Sequence, residues 1–264
     1  MTQIVRDSKN LVILLAINVL VAGSALTQTP RSDPEEPTFR ISTPLEFKGR
    51  LVSSSLRKSD IAALLDLPVR NGDSDLTEGF GVEMTRPSGE KFRVYTCREW
   101  KKAQREKAYS ATTYDMAMES SLIHTCGLLF RLQKAKVPLK SFMANPRVTL
   151  ADVNLLPAKI LSINKSDEDA GAARLDGLTI SQVVPPKDIE EANETALRLS
   201  FGGFRQFFQE AARADFDGDG FEEIFVFTGG RAEGGTLGYA DNIVLTRTGS
   251  SGPLKFVQVK NRDR

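Results

Sequence analysis

The sequence predicts an α+β fold, with an N-terminal half that contains a hairpin and one long helix and an antiparallel, β-rich C-terminal half. The long helix is indicated by apolar residues that recur at helical spacing between residues 112 and 136. The β-rich half is indicated by the short apolar runs, separated by polar and Gly-rich turns, that dominate after residue 148. A chain of 264 residues, 41% of them hydrophobic, can bury a sizeable core as one large or two small domains.

The N-terminus has the three-part layout of a secretory signal peptide, which we predict over residues 1–25. Two basic residues precede an almost uninterrupted apolar run over residues 11–22, and small residues follow at 23–25. The run is shorter than the roughly 18–20 residues that span a bilayer, so we predict no membrane span in the mature chain. An uncleaved signal anchor over residues 11–26 is the alternative. The sequence therefore predicts a periplasmic or secreted protein, or else one that stays membrane-anchored.

The next segment, residues 26–44, contains four prolines and is predicted to be an extended linker. Residues 45–148 form the predicted α+β domain. Within it, the apolar runs 80–84 and 91–97 flank a turn rich in Pro, Ser and Gly, which favours a hairpin.

The long helix is predicted to begin with Thr112 or Thr113 as its cap and to continue to about Lys136. Its apolar positions form one stripe that faces the core. His124, the single histidine, lies beside this stripe. A lone histidine without a recognisable catalytic partner is more often structural than catalytic.

The two cysteines of the chain are Cys97, at the end of a predicted strand, and Cys126, on the buried stripe of the long helix. In an exported protein, two cysteines suggest one disulfide bond. Such a bond would attach the long helix to the hairpin. Two free, buried thiols are the alternative.

Residues 149–264 form the predicted β-rich domain, which begins with a short helix capped by Thr149. The segment 204–212 is ambiguous, because its apolar residues have helical spacing although a strand would suit the loop that follows; we favour the strand. Apolar and β-branched runs predict the other strands, at residues 158–163, 178–184, 196–201, 224–227, 242–246 and 254–259.

The stretch from Asp215 to Glu223 combines acidic residues at every second position with glycines. Carboxylates this close together are stabilised by a hard cation, and calcium accepts six to eight oxygen ligands in irregular geometry. Gly220 would permit a sharp turn, and Glu222 is expected to point to solvent. The sequence therefore predicts a calcium site whose ligands are Asp215, Asp217, Asp219, the carbonyl group of Phe221, and Glu223. An acidic turn that holds no metal is the alternative.

This pattern does not fit an EF-hand, because that loop needs a glutamate at its twelfth position and Val226 occupies it here. Residues 215–227 instead resemble the calcium loop of FG-GAP and VCBS-type repeats, in which an acid-rich loop continues directly into a strand. The resemblance implies the same five ligands, although the ninth position is usually Asp in that family and is Glu223 here. A propeller is not predicted, since the loop occurs once. More weakly, the whole chain resembles uncharacterised exported bacterial proteins with an FG-GAP-like tail, which implies no activity.

The sequence contains no recognisable catalytic set: it has no Gly-x-Ser-x-Gly motif, no zinc-ligand cluster and no dinucleotide-binding fingerprint. We therefore predict no catalytic residues and a non-catalytic, calcium-stabilised binding protein of the cell envelope, with an envelope protein or a glycan as its partner. The alternative is an envelope hydrolase whose catalytic acids are not identifiable. The formal net charge of +1 gives no electrostatic reason to expect binding to nucleic acid or to an anionic membrane.

Overall fold

An eight-stranded antiparallel sheet forms the centre of the structure, a computed structural model that describes residues 36–70, 81–161 and 175–257. Two short hairpins and several helices complete the described part of the chain. The strands are β1 (Thr38–Ile41), β2 (Leu45–Phe47), β3 (Arg50–Val52), β4 (Ser55–Arg57), β5 (Val82–Thr85), β6 (Lys91–Val94), β7 (Ile189–Ala192), β8 (Ala196–Phe201), β9 (Phe204–Ala214), β10 (Glu223–Ala232), β11 (Gly238–Thr246) and β12 (Lys255–Val257). The α-helices are α1 (Ile61–Leu64), α2 (Cys97–Arg105), α3 (Thr113–Leu132) and α4 (Ile180–Val183).

Strand β9 has two different neighbours along one of its edges, β8 beside its first half and β1 beside its end. On its other side it pairs with β10, and β11 and β12 follow in order. The first half of β9 pairs with β8, which in turn pairs with β7. Its last residues pair with β1, with Ile41 opposite Ala212, and β4 lies beyond β1. The N-terminal strand β1 therefore belongs to the same sheet as the C-terminal strands.

Both faces of the sheet are covered, so the central strand β10 is buried on both sides. Phe225 and Phe227 point to the face that packs against α3 and the N-terminal hairpins. Ile224 and Val226 point to the opposite face and pack against residues between 143 and 199. Alternating side chains of one strand thus contribute to two separate hydrophobic clusters, which holds the loops at the ends of β10 in place.

The predicted disulfide bond between Cys97 and Cys126 is present and joins the first residue of α2 to the middle of α3. The two Cα atoms are 5.1 Å apart. Helix α3 is capped by Thr112, whose side chain accepts a hydrogen bond from the amide group of Asp115. The disulfide bond therefore attaches α3 to α2, the helix that follows the β5–β6 hairpin.

The α+β class, the hairpin, the long helix and the antiparallel C-terminal half are as predicted, and residues 204–212 lie within strand β9. The helix ends at Leu132, earlier than predicted.

Several local predictions were wrong. Strand β1 lies inside the predicted linker over 26–44, because apolar residues at alternate positions, Phe39 and Ile41, pack into the core. The turns after Thr149 do not form an α-helix. Residues 158–160 form a short 3-10 helix instead of a strand. Residues 180–183 form α4, capped by Thr179 and Gln182, where a strand was predicted.

The predicted signal peptide lies outside the described residues. Within the described ranges, none of the helices is both long enough and apolar enough to cross a membrane.

Candidate metal centre

The acidic loop connects the two longest strands, β9 and β10. Asp215 follows the last residue of β9, and Glu223 is the first residue of β10. Both of these side chains are buried, with exposed fractions of 1% and 0%. The side chains between them, Asp217 and Asp219, are exposed. The cluster therefore has a buried inner side, set by the strand ends, and an outer side that faces solvent.

Asp215 organises the turn through hydrogen bonds to the loop backbone. Its Oδ1 atom accepts from the amide of Gly218 at 2.6 Å, and its Oδ2 atom accepts from the amide of Gly220 at 3.1 Å. Both glycines have positive φ angles, 87° and 91°, which residues with a Cβ atom rarely adopt. The loop can therefore curl around the Asp215 carboxylate only because glycine occupies these two positions.

The two exposed aspartates are also positioned by the backbone. Asp217 Oδ1 accepts from the amide of Asp219 at 3.0 Å, and Asp219 Oδ1 accepts from the amide of Phe221 at 2.8 Å. Burial, together with the charges of Asp219 and Asp215, raises the pKa of Asp217. The loop thus brings negative charges together although they repel one another.

Glu223 is the buried acid of the cluster. Its Oε2 atom accepts a hydrogen bond from the amide of Phe216 at 2.6 Å, whereas its Oε1 atom is buried and has no hydrogen-bond partner. Burial, and then the charges of the three aspartates, raise the pKa of Glu223 to about 8. A buried carboxylate oxygen without a partner is costly, and a bound cation would satisfy it.

The predicted side-chain ligands are brought together at one point. Four carboxylate oxygens lie within 4.8 Å of one another, one each from Asp215, Asp217, Asp219 and Glu223. This acidic cluster can hold a metal ion. The fifth predicted ligand, the carbonyl group of Phe221, lies in the same loop, and its role as a ligand stays a prediction.

The segment that follows α3 packs along the acidic loop. Lys136 and Asp215 exchange two backbone hydrogen bonds, at 2.9 and 3.0 Å. The amides of Leu139 and Lys140 both donate to the carbonyl of Gly220, at 2.9 and 3.1 Å, and the amide of Glu222 donates to the carbonyl of Lys140 at 2.9 Å. We call residues 136–140 the flanking segment. Sequence reasoning missed its role, because these backbone contacts join parts of the chain about 80 residues apart.

Glu222 does not point to solvent, so this prediction was wrong. Its Oε2 atom accepts a hydrogen bond from Ser141 Oγ at 2.6 Å and lies 3.7 Å from Arg213 Nη1. The Arg213 side chain is 8% exposed and forms two hydrogen bonds, at 2.7 and 3.0 Å, with Glu210, whose carboxylate is fully buried. An internal ion-pair network therefore supports the outer end of the loop.

His124 is half-buried in the described structure and stacks on Phe227, with ring centroids 4.7 Å apart. Its Nε2 atom lies 3.2 Å from the carbonyl oxygen of Thr228. Burial lowers the pKa of His124. These contacts favour the structural role that the sequence suggested.

Comparisons of the chain with protein-family models, with curated proteins and with solved structures find no match. The resemblance of residues 215–227 to the FG-GAP and VCBS-type loop thus rests on the residues of that loop.

Proposed function

We propose that the chain is a calcium-binding protein in which the ion completes the acidic loop between β9 and β10. The observation that carries this proposal is the Glu223 carboxylate, which is fully buried and has one oxygen without a hydrogen-bond partner. That residue lies at the inner side of a cluster with three aspartates. A cation at this position would satisfy the orphaned oxygen and neutralise part of the charge.

The donor set favours calcium over other ions. All side chains of the cluster offer carboxylate oxygens, whereas structural zinc sites use Cys and His. Magnesium requires near-ideal octahedral geometry and releases its water molecules reluctantly. Five ligand residues, the four acids and the carbonyl of Phe221, leave about one to three positions of a six- to eight-coordinate calcium ion for other oxygen ligands.

The proposed role of the ion is to stabilise the sheet and the flanking segment together. The loop joins β9 to β10, and it is hydrogen-bonded through Asp215 and Gly220 to residues 136–140. An ion that binds only the folded loop stabilises the protein by RT ln(1 + [L]/Kd), which is about 2.7 kcal/mol at a hundredfold excess over Kd.

We further propose that the protein is exported and acts without catalysis, as a binding protein of the cell envelope whose partner is a protein or a glycan. The disulfide bond between Cys97 and Cys126 supports an oxidising compartment. External calcium is also high enough to fill sites with a Kd of about 10⁻⁴–10⁻³ M. N-terminal sequencing of the exported protein should give a mature start near Thr27. Intact Met1 in the membrane fraction would instead indicate the signal anchor.

Calorimetric titration and thermal melting test the calcium site. We expect calcium to bind with a stoichiometry of one and to raise the melting temperature, and chelator to reverse the effect. Asp217→Asn should abolish both effects, because it removes a charge from the ion's solvent-facing side. The matched control is Asp176→Asn, at an exposed aspartate outside the cluster whose only described pairing is with Lys159 at 3.7 Å. Melting that is indifferent to calcium, or an equal loss in the two variants, would contradict the proposal.

A further inference from the structure

The flanking segment carries an apolar tip directly beside the acidic loop. Leu139 is 92% exposed and Val137 is 52% exposed, and Pro138 lies between them. Of the described large hydrophobic residues, Leu139 is the most exposed. Exposed apolar residues that are grouped beside a functional loop indicate a contact surface more strongly than residues scattered singly.

The backbone holds this apolar tip in place. The amide of Leu139 donates to the carbonyl of Gly220 at 2.9 Å, and the neighbouring bonds from Lys136 and Lys140 fix both ends of the segment. The Cδ1 atom of Leu139 lies 3.5 Å from the position that a Cβ atom would take on Gly220. The orientation of the tip therefore depends on the same turn that brings the acidic side chains together.

Charges around the tip depend on the ion. The acidic cluster contains four carboxyl groups, and two lysines of the segment, Lys136 and Lys140, contribute two positive charges. Lys136 Nζ lies 3.7 Å from the position of a Cβ atom on Gly218, beside the loop. The carboxyl groups outnumber the lysines, so the metal-free surface is net negative at neutral pH, and a divalent ion would offset this charge. The charge of the whole chain is close to zero, so the net charge around the tip determines whether an anionic surface is repelled there.

We propose that the calcium-loaded loop and the apolar tip together dock on an anionic phospholipid bilayer, an inference that rests on the proposed calcium site. Leu139 and Val137 enter the boundary between headgroups and acyl chains, while a lipid phosphate takes a free coordination position on the solvent-facing side of the ion. Lys136 and Lys140, which are exposed on the same segment, would pair with phosphates of neighbouring lipids.

The size of the tip favours a bilayer over a protein as the occupant. A stable protein interface buries about 800 Å² on each partner, which requires roughly 20–30 residues on each side. Insertion of apolar side chains to a depth of about 5–10 Å needs only a few protruding residues when electrostatic attraction contributes as well.

Vesicle co-sedimentation tests the docking. The full mature chain is mixed with vesicles of phosphatidylcholine and phosphatidylglycerol, in millimolar calcium or in chelator. We expect sedimentation only with calcium, and much less of it with vesicles of pure phosphatidylcholine. Leu139→Ala should weaken binding about tenfold or more, because each buried CH₂ group contributes to membrane affinity. The matched control is Leu51→Ala, at a 61% exposed leucine on β3.

A fluorescence measurement reports insertion directly. Leu139→Trp adds a tryptophan at the tip of a chain whose single native tryptophan is Trp100. Its emission should shift to shorter wavelength when anionic vesicles and calcium are both present. Leu51→Trp should show no such shift.

Calorimetry without lipid separates failure of this inference from failure of the calcium site. Leu139→Ala should bind calcium with the same affinity as the unchanged protein. If calcium binds but the protein does not sediment with anionic vesicles, the docking inference is overturned and the calcium site stands. Sedimentation that is equal in chelator, or equal for the Leu139 and Leu51 variants, also overturns the inference. If calcium does not bind at all, both proposals fail.

Discussion

Replacing Glu223 by glutamine should stabilise the metal-free protein and remove its response to calcium. In the folded protein the pKa of Glu223 is raised from 4.5 to about 8 by burial and by the neighbouring aspartates. At pH 7 the folded state therefore holds a proton that the unfolded state has released. A glutamine is neutral in both states, keeps an oxygen to accept from the amide of Phe216, and avoids this proton uptake.

The magnitude follows from the pKa difference. One pKa unit corresponds to about 1.4 kcal/mol, so the interval from 4.5 to pH 7 gives a penalty of at most about 3.5 kcal/mol for Glu223. A raised folded-state pKa means that the penalty is absent below the unfolded pKa and increases as the pH rises through the folded pKa. At pH 5 the penalty should thus be below about 1 kcal/mol.

Urea unfolding in chelator measures this difference. We expect Glu223→Gln to have the higher midpoint at pH 7, and the advantage to shrink as the pH is lowered to 5. Millimolar calcium should raise the midpoint of the unchanged protein and leave that of the variant nearly unaffected. The neighbouring Glu222→Gln is the control, and it should lose about 1 kcal/mol with or without calcium, because it weakens contacts to Ser141 and Arg213. The reasoning is refuted if Glu223→Gln is the less stable protein in chelator at pH 7.

Three further outcomes are expected. Replacing Cys97 and Cys126 by alanine should cost about 3–4 kcal/mol in free energy of unfolding, since the bond closes a loop with a sequence separation of 29 residues; intact-mass measurement after alkylation without reductant should find no free thiol in the unchanged protein. Arg213→Met should cost about 3 kcal/mol in urea unfolding, because it removes both Arg213 hydrogen bonds from the buried Glu210 carboxylate, which then keeps the bond from Ser42 Oγ at 2.8 Å; Glu210→Gln in the same chain should recover part of the loss. Magnesium should raise the melting temperature less than calcium at equal concentration, and an equal effect would argue against the proposed coordination.

Features of the site that depend on local spacing were predictable from the sequence. Acids at every second position and glycines at 218 and 220 determine how the loop folds, so its carboxylates could be placed together without knowledge of the rest of the chain. The disulfide bond was predictable because two cysteines permit one pairing. The long helix was predictable because its apolar stripe has the helical period.

Other features depend on contacts between distant parts of the chain, and local patterns do not reveal them. Glu222 is held by Ser141, so its burial could not be inferred from its own neighbours. Strand β1 lies in a proline-rich stretch, and its pairing with β4 on one side and with β9 on the other makes it a strand. Residues 178–184 are rich in β-branched side chains, yet the capping interaction between Thr179 and Gln182 favours helix α4. The sequence of the flanking segment indicates a simple connector, because its contacts with the acidic loop are also made over a long distance along the chain.

The pairing of β1 with the end of β9 has a consequence for the order in which the molecule is assembled. Arg40 lies opposite Arg213, so one of the two strands that pair with β1 is synthesised more than 170 residues later. Closing so long a loop is slow compared with local helix and hairpin formation. While the chain is being synthesised, the sheet cannot be completed before residue 213 has emerged, and until then β1 can pair only with β4. A chain exported across a membrane before that point would cross it without having completed this sheet.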